Sequence, residues 1–282
     1  MCMSSDILKA TVILVGPGRA GSAFARSWRA AGGSLRELSG RGHSGMPDAD
    51  ERLTCDVLIL AVPDDAISST AEKLAPAVSC RNAFHFSGAL SAGVLDVLRG
   101  GGASVGSLHP LKVFSGSPSD NWRDAFVAVE GDAQAVETGV AIVSAIGAHA
   151  RPIPSEGKPL YHAAATLAAG GLVGLVSLAA RMWSSLGLPE AEARRALASL
   201  GIEALTALSQ KEFEEAWTGP VARRDIGTVQ AHQQALARFP EARAVYAVLA
   251  DETLRRTAGR GLDSQVHDAV STPSERKTES GQ

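Results

Sequence analysis

Several groups of residues in this sequence have types and spacings that could do chemistry. The first is Gly16-Pro17-Gly18-Arg19-Ala20-Gly21, which follows the apolar run "TVILV" and opens a helical stretch. A Gly-x-Gly-x-x-Gly turn between a strand and a helix suits a pyrophosphate. The first glycine permits the tight turn, the second lets the ligand reach the backbone, and the third lets helix and strand pack closely. The helix N-terminus then offers free N–H groups and a partial positive charge. The second strand, in "LRELSGRGHSG", places Glu37 inside the strand and Ser39 and Arg41 at its end. A carboxylate there would favour a free ribose, whereas a hydroxyl and a guanidinium suit a 2′-phosphate. The expected cofactor is therefore NADP(H) rather than NAD.

Other groups could serve a reacting molecule. Ser87 and His109 sit at the ends of two later strands, where the cleft of such a sheet forms. Ser87 could donate a hydrogen bond, and His109, with an ordinary pKa near 6.5, could supply a proton; a packing role before Pro110 is the plain alternative for His109. Lys158, Tyr161 and His162 open a long helical stretch, and the i, i+4 spacing puts Lys158 and His162 on one face with Tyr161 at its edge. In "TGPVARRDIGTVQAH", Arg223 could clamp a carboxylate, and Asp225 could bind substrate or simply cap a helix. No nucleophile elbow and no metal cluster stand out.

The totals exclude other classes. Among 282 residues the net charge is −3 and aromatics are 5%, so neither a nucleic-acid surface nor a base-stacking platform is expected. Three cysteines, Cys2, Cys55 and Cys80, form no disulfide framework; Cys55 and Cys80 read as small core residues, which fits a reducing cytoplasm. The N-terminus has no secretory signal. Residues 163–180 are 18 uncharged residues, close to the lower limit of a membrane span. Their richness in Ala and Gly predicts instead a helix buried on most sides.

These groups need a frame. Short apolar β-type runs alternate with helical stretches up to about Ile153, which predicts a doubly wound, mostly parallel Rossmann-type α/β domain over residues 8–154. An all-helical domain follows over 155–257, with helices expected at 158–186, 189–208, 210–217, 225–238 and 240–257. The polar, Ser/Gly-rich segment 258–282 reads as a disordered tail.

On these residues the chain resembles a family. "CDVLILAVPDDAI" is similar to the pyrroline-5-carboxylate reductase and β-hydroxyacid dehydrogenase superfamily. "FHFSGAL", "GSLHPLKVF", "LYHAAATLAA" and "TGPVARRDIGTVQAHQQAL" resemble its DUF2520-containing, Rossmann-like oxidoreductases over about residues 10–255. The resemblance implies that Val62 and Pro63 border the cofactor, that Lys158 stands where a catalytic acid is found, and that the helical domain forms a homodimer. The chain departs from the group at Gly170, where an Asn is usual, and at Arg224, where "RGD" is usual. The expected activity is NADPH-dependent reduction of a small carbonyl or imine compound in a cleft between two domains. The alternatives are a prephenate-dehydrogenase-like oxidoreductase and a non-catalytic NADP(H)-binding sensor or scaffold.

Overall fold

The computed structural model of the chain describes residues 6–38, 52–257 and 269–270. Contacts divide the chain into two compact units, Met1–Leu167 and Ala168–Gln282.

The first unit is a seven-stranded sheet in the order β2-β1-β3-β4-β5-β6-β7. Its strands are β1 (Val12–Val15), β2 (Leu35–Leu38), β3 (Leu53–Leu60), β4 (Val78–His85), β5 (Ser104–Pro110), β6 (Phe126–Gly131) and β7 (His149–Pro152). Every neighbouring pair is parallel except β5 and β6, so the sheet is mostly parallel as expected. Helices α1 (Arg19–Ala30), α2 (Ile67–Leu74) and α3 (Ala133–Ala145) cover it, together with a 3₁₀ stretch, Ala92–Gly101, where an α-helix is the sequence expectation. The central strands are apolar on both faces because both faces are covered. Phe24, Trp28, Phe84 and Trp122 fill one core and Leu58, Leu60, Ile67 and Leu95 the other. Cys55 and Cys80 are buried and free, directly opposite each other on β3 and β4.

β1 has β2 on one side and β3 on the other. The chain reverses its direction of travel across the sheet there, and ligands of such folds bind outside the strand C-termini at that point.

One continuous helix runs over Ser155–Ser184. It comprises α4 (Lys158–Thr166), a π-helical turn at Leu167–Gly171 and α5 (Leu172–Ser184). The π turn falls on the Gly170 departure. The first compact unit ends at Leu167, so α4 belongs with the sheet. The expectation that this apolar stretch is buried fails: only 6% of its most apolar window is covered within the chain, although the helix is long and apolar enough to cross a membrane. Small-residue composition shows that close packing is possible, and it does not say what packs there.

The second unit is helical, with α6 (Glu190–Leu208), α7 (Phe213–Ala216), α8 (Ile226–Ala235) and α9 (Pro240–Arg256). Val221, Val229, Ala250 and Leu254 form its core with Val270. The expectation of a wholly disordered tail is corrected at 269–270: these residues are helical, and the Val270 carbonyl accepts from Gln233 Nε2 at 3.0 Å. The rest of 258–282 lies outside the described residues.

Candidate active site

The Gly-rich turn stands between β1 and α1 as the motif requires. Gly16 has φ +79°, and a Cβ there would lie 2.5 Å from Val62 Cγ1; a Cβ at Gly21 would lie 2.8 Å from that of Ala61. Gly18 differs. Its backbone is extended (φ −71°, ψ −167°), and a Cβ would meet only the Ala61 carbonyl at 3.8 Å. That side opens on a groove of about 840 Å³ lined by Gly16 to Ala20, Ala61 to Pro63, Ala66, Thr70 and Phe114. Gly18 is the N-cap of α1 and offers no side-chain cap, so the first-turn N–H groups are left for a ligand. An open backbone cradle at a helix N-terminus fits a dinucleotide pyrophosphate. Glu37 lies in β2 and binds Arg29 at 2.6 Å, so its carboxylate is engaged away from a ribose. Ser39 and Arg41 lie outside the described residues.

A polar cluster abuts this groove, because Pro63 lines the groove and the next residue, Asp64, accepts a 2.7 Å hydrogen bond from Ser87 Oγ. Ser87 Oγ also accepts from the amides of Ala89 and Leu90 at 3.2 and 3.0 Å. The expected hydrogen bond from Ser87 to a substrate therefore meets a competitor: its proton is already engaged, and its main work is to fold the turn after β4. The rings of His109 and Tyr161 meet edge to face, with His109 Nδ1 2.8 Å from the Tyr161 hydroxyl. The His162 ring stacks edge-on to His109, and its Nδ1 is buried with no partner among the described residues. Gly88 makes this possible, since a Cβ there would lie 2.5 Å from His162 Nδ1 and 2.7 Å from His109 Nε2.

Behind these rings lies a fully buried layer. The sheet register puts His85, Ser107 and Glu130 in one row across β4, β5 and β6. Lys158 Nζ reaches into this row from α4, donating to Ser107 Oγ at 2.5 Å and lying 3.5 Å from Glu130 Oε2. Glu130 further accepts from Ser155 Oγ at 2.6 Å, Ser107 Oγ at 3.0 Å and the Ala92 amide at 3.0 Å. Lys158 is 1% exposed, so it touches buried groups rather than the cleft where a catalytic acid is expected. His85 accepts from the Ser87 amide through Nδ1 and donates through Nε2 to the Ser91 carbonyl.

This burial sets the electrostatics. Burial lowers the Lys158 pKa to about 8, although the Glu130 and Asp64 charges pull it up. Burial pushes the Glu130 carboxyl upward, but the Ser155 hydrogen bond, the Lys158 charge and the Ser107 and Ala92 bonds outweigh it and hold it below the usual range. Burial, with the charges of His162 and Lys158, lowers His109 to about 4; burial and the Lys158 charge do the same for His85. Burial raises Tyr161 to about 12. His109 is thus a neutral imidazole at pH 7, not the group titrating near 6.5 that the sequence suggests.

A pH dependence follows. Both histidines keep folded values near 4 against an ordinary 6.5, so between those values the unfolded chain binds more protons. Stability therefore falls as the pH drops through that window. Urea unfolding measured across it should show this loss, with a shallower slope in His85→Gln; a flat profile would contradict the burial of neutral imidazoles.

Arg223 and Asp225 lie in the second unit. Asp225 is the N-cap of α8, accepting from the Thr228 amide at 3.1 Å and the Thr228 hydroxyl at 2.7 Å. Arg223 is exposed. Arg224 has φ +61°, the left-handed conformation that a glycine would take without cost, and its guanidinium binds Thr257 Oγ1 and O at 3.0 and 3.1 Å. Asp64 lies at a strand end that borders the cleft, whereas Ser107 and Glu130 join the site from within their strands. A lone acid in the apolar run "AFVAVEG" is the only local signal for Glu130, since carboxylates are almost never fully buried unpaired.

Residues 125–253 match the family model of a domain of unknown function, DUF2520. No curated protein matches the chain. Among solved structures, a proposed NADP oxidoreductase from Bacteroides fragilis superposes with TM-score 0.65 at 19% identity, covering 89% of this chain and 100% of that one. A Thermotoga maritima protein gives 0.65 at 22% identity, covering 92% and 98%. A 1-pyrroline-5-carboxylate reductase from Streptococcus pyogenes gives 0.57 at 13% identity, covering 89% and 99%. At these identities the likeness is one of fold.

Proposed function

We propose that this protein is an NADPH-dependent oxidoreductase that reduces a small carbonyl or imine compound. The observation that carries this reading is the contact between the two halves of the site, where Pro63 lines the dinucleotide groove and Asp64 holds the polar cluster. The structural relatives, which include a proposed NADP oxidoreductase and a pyrroline-5-carboxylate reductase, support the same class. Glu37 is engaged by Arg29, and Ser39 and Arg41 follow it in sequence, which supports NADPH over NADH.

The reduced nicotinamide supplies the hydride, and the chain supplies binding, orientation and a proton. Gly16, Gly18 and Gly21 shape the cradle, with Arg19, Ala20, Val62 and Pro63 as its walls. With Nδ1 of His109 accepting from Tyr161, Nε2–H, which has no hydrogen-bond partner among the described residues, is the group assigned to the substrate oxygen or nitrogen. As that atom gains negative charge, the Nε2 proton passes to it and Nδ1 takes the Tyr161 proton. The charge ends on the phenolate, which solvent re-protonates. Lys158, His162 and Glu130 hold these groups rather than react.

The second unit leaves Ile202 and Leu205, three apart and so on one side of α6, exposed at 65 and 45%. A second copy covering this stripe gives the homodimer expected of the family. The charged anchor of α4 in the sheet, Lys158 on Glu130, speaks against a span in lipid, and a cytoplasmic enzyme is the consistent reading.

NADPH consumption tested against a panel of small keto acids, aldehydes and cyclic imines checks the activity. Tyr161→Phe should lower turnover of any accepted compound about 100-fold while NADPH affinity stays unchanged. Tight NADPH binding with no turnover across the panel would favour the non-catalytic binding protein, a reading supported by the burial of Lys158.

A further inference from the structure

The loop between β5 and β6 brings an aromatic ring to the dinucleotide groove. Phe114 lines the groove and is half-buried, while Leu111 to Val113 before it and Ser115 and Gly116 after it are exposed. Its ring lies against that of Trp122, with centroids 6.2 Å apart and planes 26° from parallel. Trp122 is fully buried in the core, where it also meets Phe24 and Phe86. Phe114 therefore stands between the core and the groove, with one side backed by a fixed aromatic ring.

The loop is tied to the helix that opens the groove. The Trp122 indole donates to the Ala20 carbonyl at 3.2 Å, and the Trp122 amide donates to Ser27 Oγ at 2.8 Å. Arg26 donates to the carbonyls of Asp120 and Ser117 at 2.8 and 3.1 Å. These bonds hold the loop to α1, so Phe114 is positioned by the same helix whose N-terminus suits a pyrophosphate. Packing on Trp122 uses only part of the Phe114 ring. A planar apolar ring of a ligand, laid on the part that faces the groove, would cover the rest.

We propose that Phe114 is a stacking residue for the nicotinamide ring, an inference that rests on the reading of the groove as a dinucleotide site. Sheet order separates the two ends of the cofactor. The adenosine ribose belongs at the end of β2, on one side of β1, and β5 lies on the other side. The loop that carries Phe114 leaves β5 just past His109, the residue assigned to the substrate atom. Hydride transfer brings the nicotinamide to within about 3–3.5 Å of the reacting carbon. The nicotinamide, and not the adenine, is therefore the ring at the β5 end of the groove. The phosphates and riboses between the two rings offer no flat apolar face.

Calorimetric titration of the full chain with NADPH and with 2′-phospho-ADP-ribose, which has the same adenosine and phosphates but no nicotinamide, tests this. Phe114→Leu keeps an apolar contact for Trp122 and removes the ring face. Its NADPH affinity should fall at least about fivefold, while its affinity for 2′-phospho-ADP-ribose stays unchanged. Phe114→Tyr restores the ring and should bind both ligands as the unaltered protein does. Undiminished NADPH affinity in Phe114→Leu, an equal loss for both ligands, or the same loss in Phe114→Tyr would each overturn the proposal. Absence of NADPH binding to the unaltered protein would instead bring down the dinucleotide reading itself, and the proposal with it.

Discussion

Gly18→Leu should leave the protein folded and remove its dinucleotide binding. The two properties separate at this residue for a physical reason. Its backbone is already extended, a conformation any side chain adopts, and the nearest atom to an added Cβ is 3.8 Å away. The new side chain therefore enters the groove without clashing with the protein, and it occupies the place where a pyrophosphate would approach the α1 N-terminus. We expect at least about a 100-fold loss of NADPH affinity, about 2.7 kcal/mol, with an unchanged unfolding midpoint. Gly16→Ala would be a poorer test. It combines a φ of +79° with a Cβ 2.5 Å from Val62, so the fold and the site would fail together. Retained NADPH affinity in a folded Gly18→Leu would remove the groove from the account.

Glu130→Ala should be among the most destabilising single changes in the sheet domain. The carboxylate and Lys158 are 2% and 1% exposed, and removing the acid leaves a buried ammonium with only Ser107 as partner. Breaking such a pair costs about 3–5 kcal/mol. The change also removes the acceptor for Ser155 and for the amide of Ala92 at the start of the 3₁₀ stretch. The double variant Glu130→Leu with Lys158→Met should recover most of the loss, because an apolar pair of similar size leaves no uncompensated charge. Urea unfolding of the three proteins reads both effects. A loss below about 1 kcal/mol in Glu130→Ala would mean that the pair is hydrated rather than buried.

Local signals in the chain carry much of the fold and part of the site. The Gly-rich turn is legible because strand, turn and helix are contiguous and each glycine has its own steric reason. The face shared by Lys158, Tyr161 and His162 is legible because helical spacing is local. The "RGD" departure points to an unusual turn, and Arg224 does carry a positive φ. Glu130 and Ser107 are not legible, since their roles depend on strand register and on a helix residue, Lys158, that lies 28 and 51 residues further on. The same limit hides the neutral state of His109: its pKa is set by burial and by neighbours on other elements. The apolar helix from Ser155 to Ser184 shows the converse error. Composition marks a surface that needs a cover, and only the assembled chain shows how little of it the chain itself covers.

The most direct test of the central claim is a titration of the purified protein with NADPH and with NADH, followed by nicotinamide fluorescence. Saturable NADPH binding, at least about tenfold tighter than NADH, is the predicted result and would support Ser39 and Arg41 as the selector. Equal affinity would keep the groove and discard that selector. Binding of neither nucleotide would contradict the account, and the proposed reduction would fall with it.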